Sequence, residues 1–145
     1  MTQVVDRLRT LVAGDLMARR VIELSPDQTL KDAAQAFATH ELSSAPVVNG
    51  QGVCIGILSA ADFLKPNLRD DLADATSLDH TVQALMTPAV QSVSPNTPLL
   101  RVAQIMSVEH IHHLPVIENE RVVGVVSTLD VVSTMVNAVD EWDAR

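Results

Sequence analysis

Gly56-Ile57-Leu58-Ser59-Ala60-Ala61-Asp62 and Gly124-Val125-Val126-Ser127-Thr128-Leu129-Asp130 follow one pattern: glycine, two apolar residues, serine, two further residues, aspartate. The two stretches lie 68 residues apart, and the match spreads outward from them. Upstream, Leu16-Met17 returns as Leu85-Met86, Ser25-Pro26 as Ser94-Pro95, and Pro46-Val47 as Pro115-Val116, all at an offset of 69. Leu30, Ala34 and Gln35 return as Leu99, Ala103 and Gln104. One residue is therefore lost where Asn49-Gly50-Gln51-Gly52 stands against Glu118-Asn119-Glu120. Turns tolerate such changes, and Asn-Gly is itself a hairpin signal. The chain divides into two copies of one unit, residues 14–66 and 83–137, preceded by an N-terminal helical extension over 1–13, joined by a connector over 67–82 and followed by a tail, 138–145.

Within each copy the periodicities agree. Leu30, Ala33, Ala34 and Phe37, and their counterparts Leu99, Val102, Ala103 and Met106, sit at i, i+3, i+4 and i+7, one face of an amphipathic helix. A short β-rich run precedes each helix (Val21 to Leu24, Val90 to Val93). Two more follow it, Ala45 to Val48 with Val53 to Leu58, and Leu114 to Ile117 with Val122 to Val126. Pro46 and Pro115 are expected at strand starts or edges, where a missing N–H costs no ladder bond. A second helix opens at Ser59 and at Ser127, and in the latter Leu129, Val132, Met135, Val136 and Val139 keep helical spacing. The fold class is α/β, two β-α-β-β-α units. A unit of some 50 residues cannot bury both helix faces alone, so a pseudo-twofold pairing of the two is expected. Val4, Val5, Leu8, Leu11 and Val12 predict a helix leading in, and the acidic connector is expected to be partly helical.

The 145 residues are 47% apolar and 19% charged, enough apolar surface for a folded domain. Ten Lys and Arg against 18 Asp and Glu leave a net charge of −8, which argues against a nucleic-acid footprint. Aromatics are confined to Phe37, Phe63 and Trp142, so base-stacking platforms are missing too. The single cysteine, Cys54, excludes an internal disulfide and fits a reducing compartment. Neither a spanning apolar run nor a signal peptide is visible, and the expectation is a soluble cytoplasmic protein with no membrane partner.

Ser-x-x-Asp at a helix start is close to a capping box, the side chains satisfying backbone N–H groups. The same residues can also hold a ribose. A helix N-terminus offers N–H groups and a positive dipole end, and an aspartate there accepts from the 2′- and 3′-hydroxyls. Repetition alone does not choose between the two, since a duplicated fold duplicates its caps.

Leu-Met, Ser-Pro, a helix, a Pro-Val strand, a hairpin and Gly-h-h-Ser-x-x-Asp, in that order and twice, resemble the CBS domain. These domains commonly come as tandem pairs, and the match covers about 14–137. The resemblance implies a Bateman module with two clefts between its repeats. In the family these clefts bind adenosine-containing ligands such as AMP, ADP, ATP, S-adenosylmethionine or NAD, and the modules dimerise. Carried over residue by residue, the ribose-binding positions are Ser59 with Asp62 and Ser127 with Asp130. The base-contacting positions are Val21 and Ile22, and Val90 and Gln91. The residues before the Pro-Val strand, which often face phosphates, are Ser43-Ser44 in the first copy and His112-His113 in the second.

The family's mixed clefts imply that Ser59 and Asp62 share a site with His112 and His113, and Ser127 and Asp130 with Ser43 and Ser44. Imidazoles charge near neutral pH, so a phosphorylated adenosine ligand is expected at the Asp62 cleft, with weaker or no phosphate binding at the other. Two positions depart from the family pattern. Ala18-Arg19 stands where the second copy has Thr87-Pro88, and His113 replaces the usual Arg, removing a bidentate cation.

Neither catalytic residues nor a metal site is expected. There is no Gly-rich phosphate loop and no paired carboxylates, and alternation points His112 and His113 to opposite sides. Cys54 among Val53, Ile55 and Ile57 is expected to be a buried small hydrophobe. The resulting function is a regulatory ligand-binding module that forms a homodimer and signals to an unidentified regulated protein. The alternative is a structural dimer module with vestigial, empty clefts.

Overall fold

In the computed structural model the described residues are 2–19, 21–64, 80–89 and 91–143. The bulk of the expected connector, and Val90, lie outside them. The chain forms two compact units, residues 21–90 in one and residues 1–20 with 91–145 in the other.

The 21–90 unit contains α3 (Leu30–His40), β1 (Ser44–Val48), β2 (Cys54–Ser59), a 3-10 turn (Ala60–Leu64), α4 (Val82–Leu85) and β3 (Thr87–Pro88). Thr29 caps α3, its Oγ1 accepting from the Asp32 N–H at 3.1 Å. The helix stops at Glu41, which takes a left-handed φ of 53° while Leu42 N–H closes on the Phe37 carbonyl at 2.9 Å. Of the predicted stripe, Leu30, Ala33 and Phe37 are buried and pack on Leu24, Ala45, Val47, Leu58, Val82 and Leu85, while Ala34 is exposed. The strands run in the order β1-β2-β3, all antiparallel. Asn49 shapes the hairpin, its side chain accepting from the N–H groups of Gln51 and Val53.

The second unit contains α1 (Thr2–Thr10), α2 (Ala13–Leu16), α5 (Leu99–Glu109), β4 (His113–Glu118), β5 (Arg121–Ser127) and α6 (Thr128–Asp143). Its core gathers Leu11, Ala13 and Leu16 with Val93, Leu99, Val102, Ile105, Met106, Leu114, Val116, Val126 and Val131. The shorter hairpin turns on Asn119 and Glu120, both at positive φ (52° and 66°), as a two-residue turn requires. Helix α6 continues to Asp143, into the stretch set apart by sequence as a tail.

The compact units do not follow the sequence repeats. The Leu-Met segment of each copy packs with the rest of the other copy. Ala13 N–H donates to Thr97 O and Gly14 N–H to Pro95 O; 69 residues on, Val82 N–H donates to Gln28 O and Gln83 N–H to Pro26 O. Ala18 then bridges Val125, as Thr87 pairs with Ile57. These crossings explain the repeated glycine. A Cβ on Gly124 would stand 2.6 Å from Met17 Sδ and 2.9 Å from the Ala18 carbonyl oxygen; on Gly56 it would fall onto Met86 Sδ and 2.9 Å from the Thr87 carbonyl oxygen.

Two expectations need correction. The strands foreseen at 21–24 and 90–93 shrink to single parallel bridges, Leu24 to Val47 and Val93 to Val116. The prolines are the cause. Leu24 N–H donates to Pro46 O and Val48 N–H to Leu24 O, so the next ladder bond would need an N–H at Pro46, which has none; Pro115 acts alike. The missing N–H therefore does limit a ladder. Second, Ser59 and Ser127 are the last residues of β2 and β5, and the helical turns begin one residue later. The helical spacing of Leu129, Val132, Met135, Val136 and Val139 holds in α6, where these side chains are exposed and Val131 and Ala138 form the buried face.

Candidate ligand-binding site

The two Ser-x-x-Asp elements are built alike. At the end of β2 the Ser59 N–H donates to Asp62 Oδ2 at 2.7 Å, and at the end of β5 the Ser127 N–H donates to Asp130 Oδ2 at 2.8 Å. In the second copy the reciprocal bond is also made, Asp130 N–H to Ser127 Oγ at 3.0 Å, completing the capping box. In each copy this N–H orients the carboxylate at the strand end. Asp62 is the more buried of the two, 7% exposed against a half-buried Asp130. Its turn is pinned by Phe63, whose ring meets Phe37 edge-on at 5.6 Å.

Antiparallel register decides which candidates adjoin. Ser44 lies opposite Ser59, and Ala60 N–H donates to Ser43 O at 2.9 Å. In the other unit His113 lies opposite Ser127, and Thr128 N–H donates to His112 O at 2.9 Å. Within each unit, the residues before the Pro-Val strand thus stand beside that unit's own Ser-x-x-Asp. His112 and Ser43 are exposed, His113 and Ser44 half-buried. Val21 and Ile22 are half-buried and precede the Leu24 bridge; Gln91, two residues before the Val93 bridge, is also half-buried. Val90 lies outside the described residues.

The residue family matching this chain is the CBS domain, at residues 13–66 and 82–137. The chain belongs to the CBS-domain family. It is 32% identical over 116 residues to the CBS domain-containing protein YhcV of Bacillus subtilis (strain 168), covering 80% of this chain and 79% of that one. The CBS pair of protein MJ0100, solved in complex with 5-methylthioadenosine and S-adenosyl-L-methionine, superposes with a TM-score of 0.69 at 25% identity, covering 84% of this chain and 97% of that one. CBSX2, solved in complex with AMP, shares the fold at a TM-score of 0.70 and 22% identity, covering 88% and 97%.

The CBS motif glycines are where sequence reasoning fell short. They make room for a crossing backbone, and the signal was available in the joint recurrence of Leu-Met and Gly. Cys54 is half-buried rather than buried, its thiol donating to the Gly56 carbonyl at 3.5 Å, and burial pushes its pKa up from 9.0. Among the described residues no three His, Cys, Asp or Glu gather to hold a metal ion, and no helix is long and apolar enough to cross a membrane.

Proposed function

We propose that this CBS pair is a non-catalytic regulatory module for an adenosine-containing ligand, of the AMP, ADP, ATP, S-adenosylmethionine or NAD type, that signals through a homodimer to a partner chain. The observation carrying this reading is the duplicated carboxylate, Asp62 and Asp130, each oriented by a backbone N–H at a strand end. Within each unit the register sets Ser44 opposite Ser59 and His113 opposite Ser127, so the crosswise pairing of His112 and His113 with Asp62 rests on the family resemblance alone. The adenosine ligands of the MJ0100 and CBSX2 complexes support the ligand class. In this proposal Asp62 and Asp130 accept from ribose hydroxyls, with Ser59 and Ser127 beside them. Val21 and Ile22, and Val90 and Gln91, contact the base. As in the family's mixed clefts, His112 and His113 serve the Asp62 site and favour a phosphate there, while Ser43 and Ser44 serve the Asp130 site. Ligand tied to both repeats would favour one arrangement of the module, which is how occupancy becomes a signal.

The capping bonds themselves favour a second reading, a structural dimer module in which Ser-x-x-Asp only ends strands and starts helices. Calorimetry and thermal shift with AMP, ADP, ATP, S-adenosylmethionine and NADH decide between them. A ligand at a hundredfold excess over its Kd raises stability by about 2.7 kcal/mol. Binding that Asp62→Ala abolishes supports the regulatory reading. Silence across the panel, with Asp62→Ala costing only stability, supports the structural one.

A further inference from the structure

A groove of about 380 Å³ opens among α1, α2 and α6, wholly within the unit formed by residues 1–20 and 91–145. Small-molecule sites occupy about 300–1,000 Å³, so the groove has room for one. Leu11 and Ala138, both buried, supply its apolar part, and every other lining side chain is polar. Three of these are charged: Arg7 in the last turn of α1, Asp15 of α2 and Glu141 near the end of α6. None of Ser59, Asp62, Ser127 and Asp130 lines it.

The charges are set out in a usable way. Arg7 Nε lies 3.8 Å from Glu141 Oε2, too far for a hydrogen bond, and the two side chains are 55% and 59% exposed. A cation and an anion thus stand side by side, open to solvent and loosely held. Asp15 is fixed more firmly, because the Val12 N–H donates to its Oδ2 at 2.9 Å. One cation and two anions in the lining call for a ligand with one anion and two cations.

We propose that this groove binds a free basic α-amino acid of the lysine type. The inference goes beyond the adenosine reading and does not rest on it. An α-amino acid carries its carboxylate and its ammonium on one carbon, which suits the adjacent Arg7 and Glu141. The guanidinium takes the carboxylate, for which its planar fork of donors is matched. Glu141 takes the α-ammonium, and Asp15 takes the second ammonium at the end of the side chain. Exposed ion pairs are weak singly, so recognition depends on all three together and the expected Kd is about 1 mM. Bound there, the amino acid ties the first helix of the chain to the last described one.

The test is an NMR titration of the full chain at low salt with L-lysine, L-norleucine, which lacks the side-chain ammonium, and cadaverine, which lacks the carboxylate. L-Lysine is expected to shift the amide signals around Arg7, Asp15 and Glu141, and the other two to bind about three- to fivefold more weakly. Arg7→Gln should weaken L-lysine by a similar factor and leave cadaverine unchanged. Asp15→Asn should weaken L-lysine and leave norleucine unchanged; its amide oxygen still accepts from the Val12 N–H, so the turn is kept. Glu141→Gln, at an exposed position where folding is not at risk, should weaken L-lysine and norleucine alike. The absence of any shift with L-lysine overturns the proposal. Cadaverine or norleucine binding as tightly as L-lysine overturns it too, as do shifts centred on Ser59 to Asp62 or Ser127 to Asp130 instead of the groove.

Discussion

Adding one methyl group at Gly124 tests whether the crossing of the Leu-Met segment holds the 91–145 unit together. The Gly124→Ala Cβ would lie 2.9 Å from the Ala18 carbonyl oxygen, about 0.5 Å short of ordinary contact at 3.4 Å, and 2.6 Å from Met17 Sδ. The thioether can swing, but Met17 packs against the core and has little room. The carbonyl is less free. It accepts from Val125 N–H at 3.3 Å, while Ala18 N–H donates to Val125 O at 3.0 Å, so a shift of half an ångström strains both bonds. Overpacking costs about 1–3 kcal/mol, and losing a hydrogen bond adds about 1 kcal/mol, giving an expected loss of roughly 2–4 kcal/mol. In urea this moves the unfolding midpoint down by about 1–2 M with the slope unchanged. Gly50→Ala is the matched control: nothing lies within 4 Å of its Cβ, and its stability should stay within about 0.5 kcal/mol of wild type. Met17→Ala combined with Gly124→Ala should recover only part of the loss, because the carbonyl contact remains. A Gly124→Ala protein as stable as the Gly50→Ala control would refute the reasoning.

Three further outcomes follow from local geometry. Thr29→Ala removes the acceptor for Asp32 N–H and should cost about 1 kcal/mol in urea unfolding, with Thr29→Ser keeping most of it. Glu120→Gly relieves a left-handed residue at φ 66° and should stabilise the protein by up to about 1 kcal/mol; a loss would mean that the Glu120 side chain contributes what its backbone costs. Because burial raises the Cys54 pKa, its alkylation rate should still climb above pH 9.0, where an ordinary thiol levels off. The sign for stability follows: the unfolded thiol loses its proton first, so the Cys54 contribution is complete below pH 9.0 and declines as the pH rises toward the folded value. A Cys54→Ser protein should lack that decline.

Much of this was legible in the chain itself. Leu30, Ala33 and Phe37 announced a buried helix face because a 3.6-residue period has few other uses. Asn49-Gly50 announced its hairpin through turn chemistry. Ser59 with Asp62 and Ser127 with Asp130 announced themselves as caps, and the bonds at 2.7 and 2.8 Å are there. The single-bridge strands were missed because a β-rich run says nothing of its partner, and here the partner has a proline where the next N–H was needed. For a related reason the buried face of α6 was not legible. Leu129 and Val131 both belong to apolar stripes, and only packing against α1 and β5 says which one is inside.

By itself, then, the sequence determined the duplication, the α/β character of each unit and the CBS family, since these rest on local periodicity and on the order of short motifs. Only the tertiary structure decided that Met17 meets Gly124 and Met86 meets Gly56. That exchange depends on contacts between residues more than a hundred positions apart in one case and 30 in the other, and no local propensity encodes it. The physical reason is the space at the crossing: a backbone can pass over a strand at this distance only where the side chain beneath is a hydrogen atom.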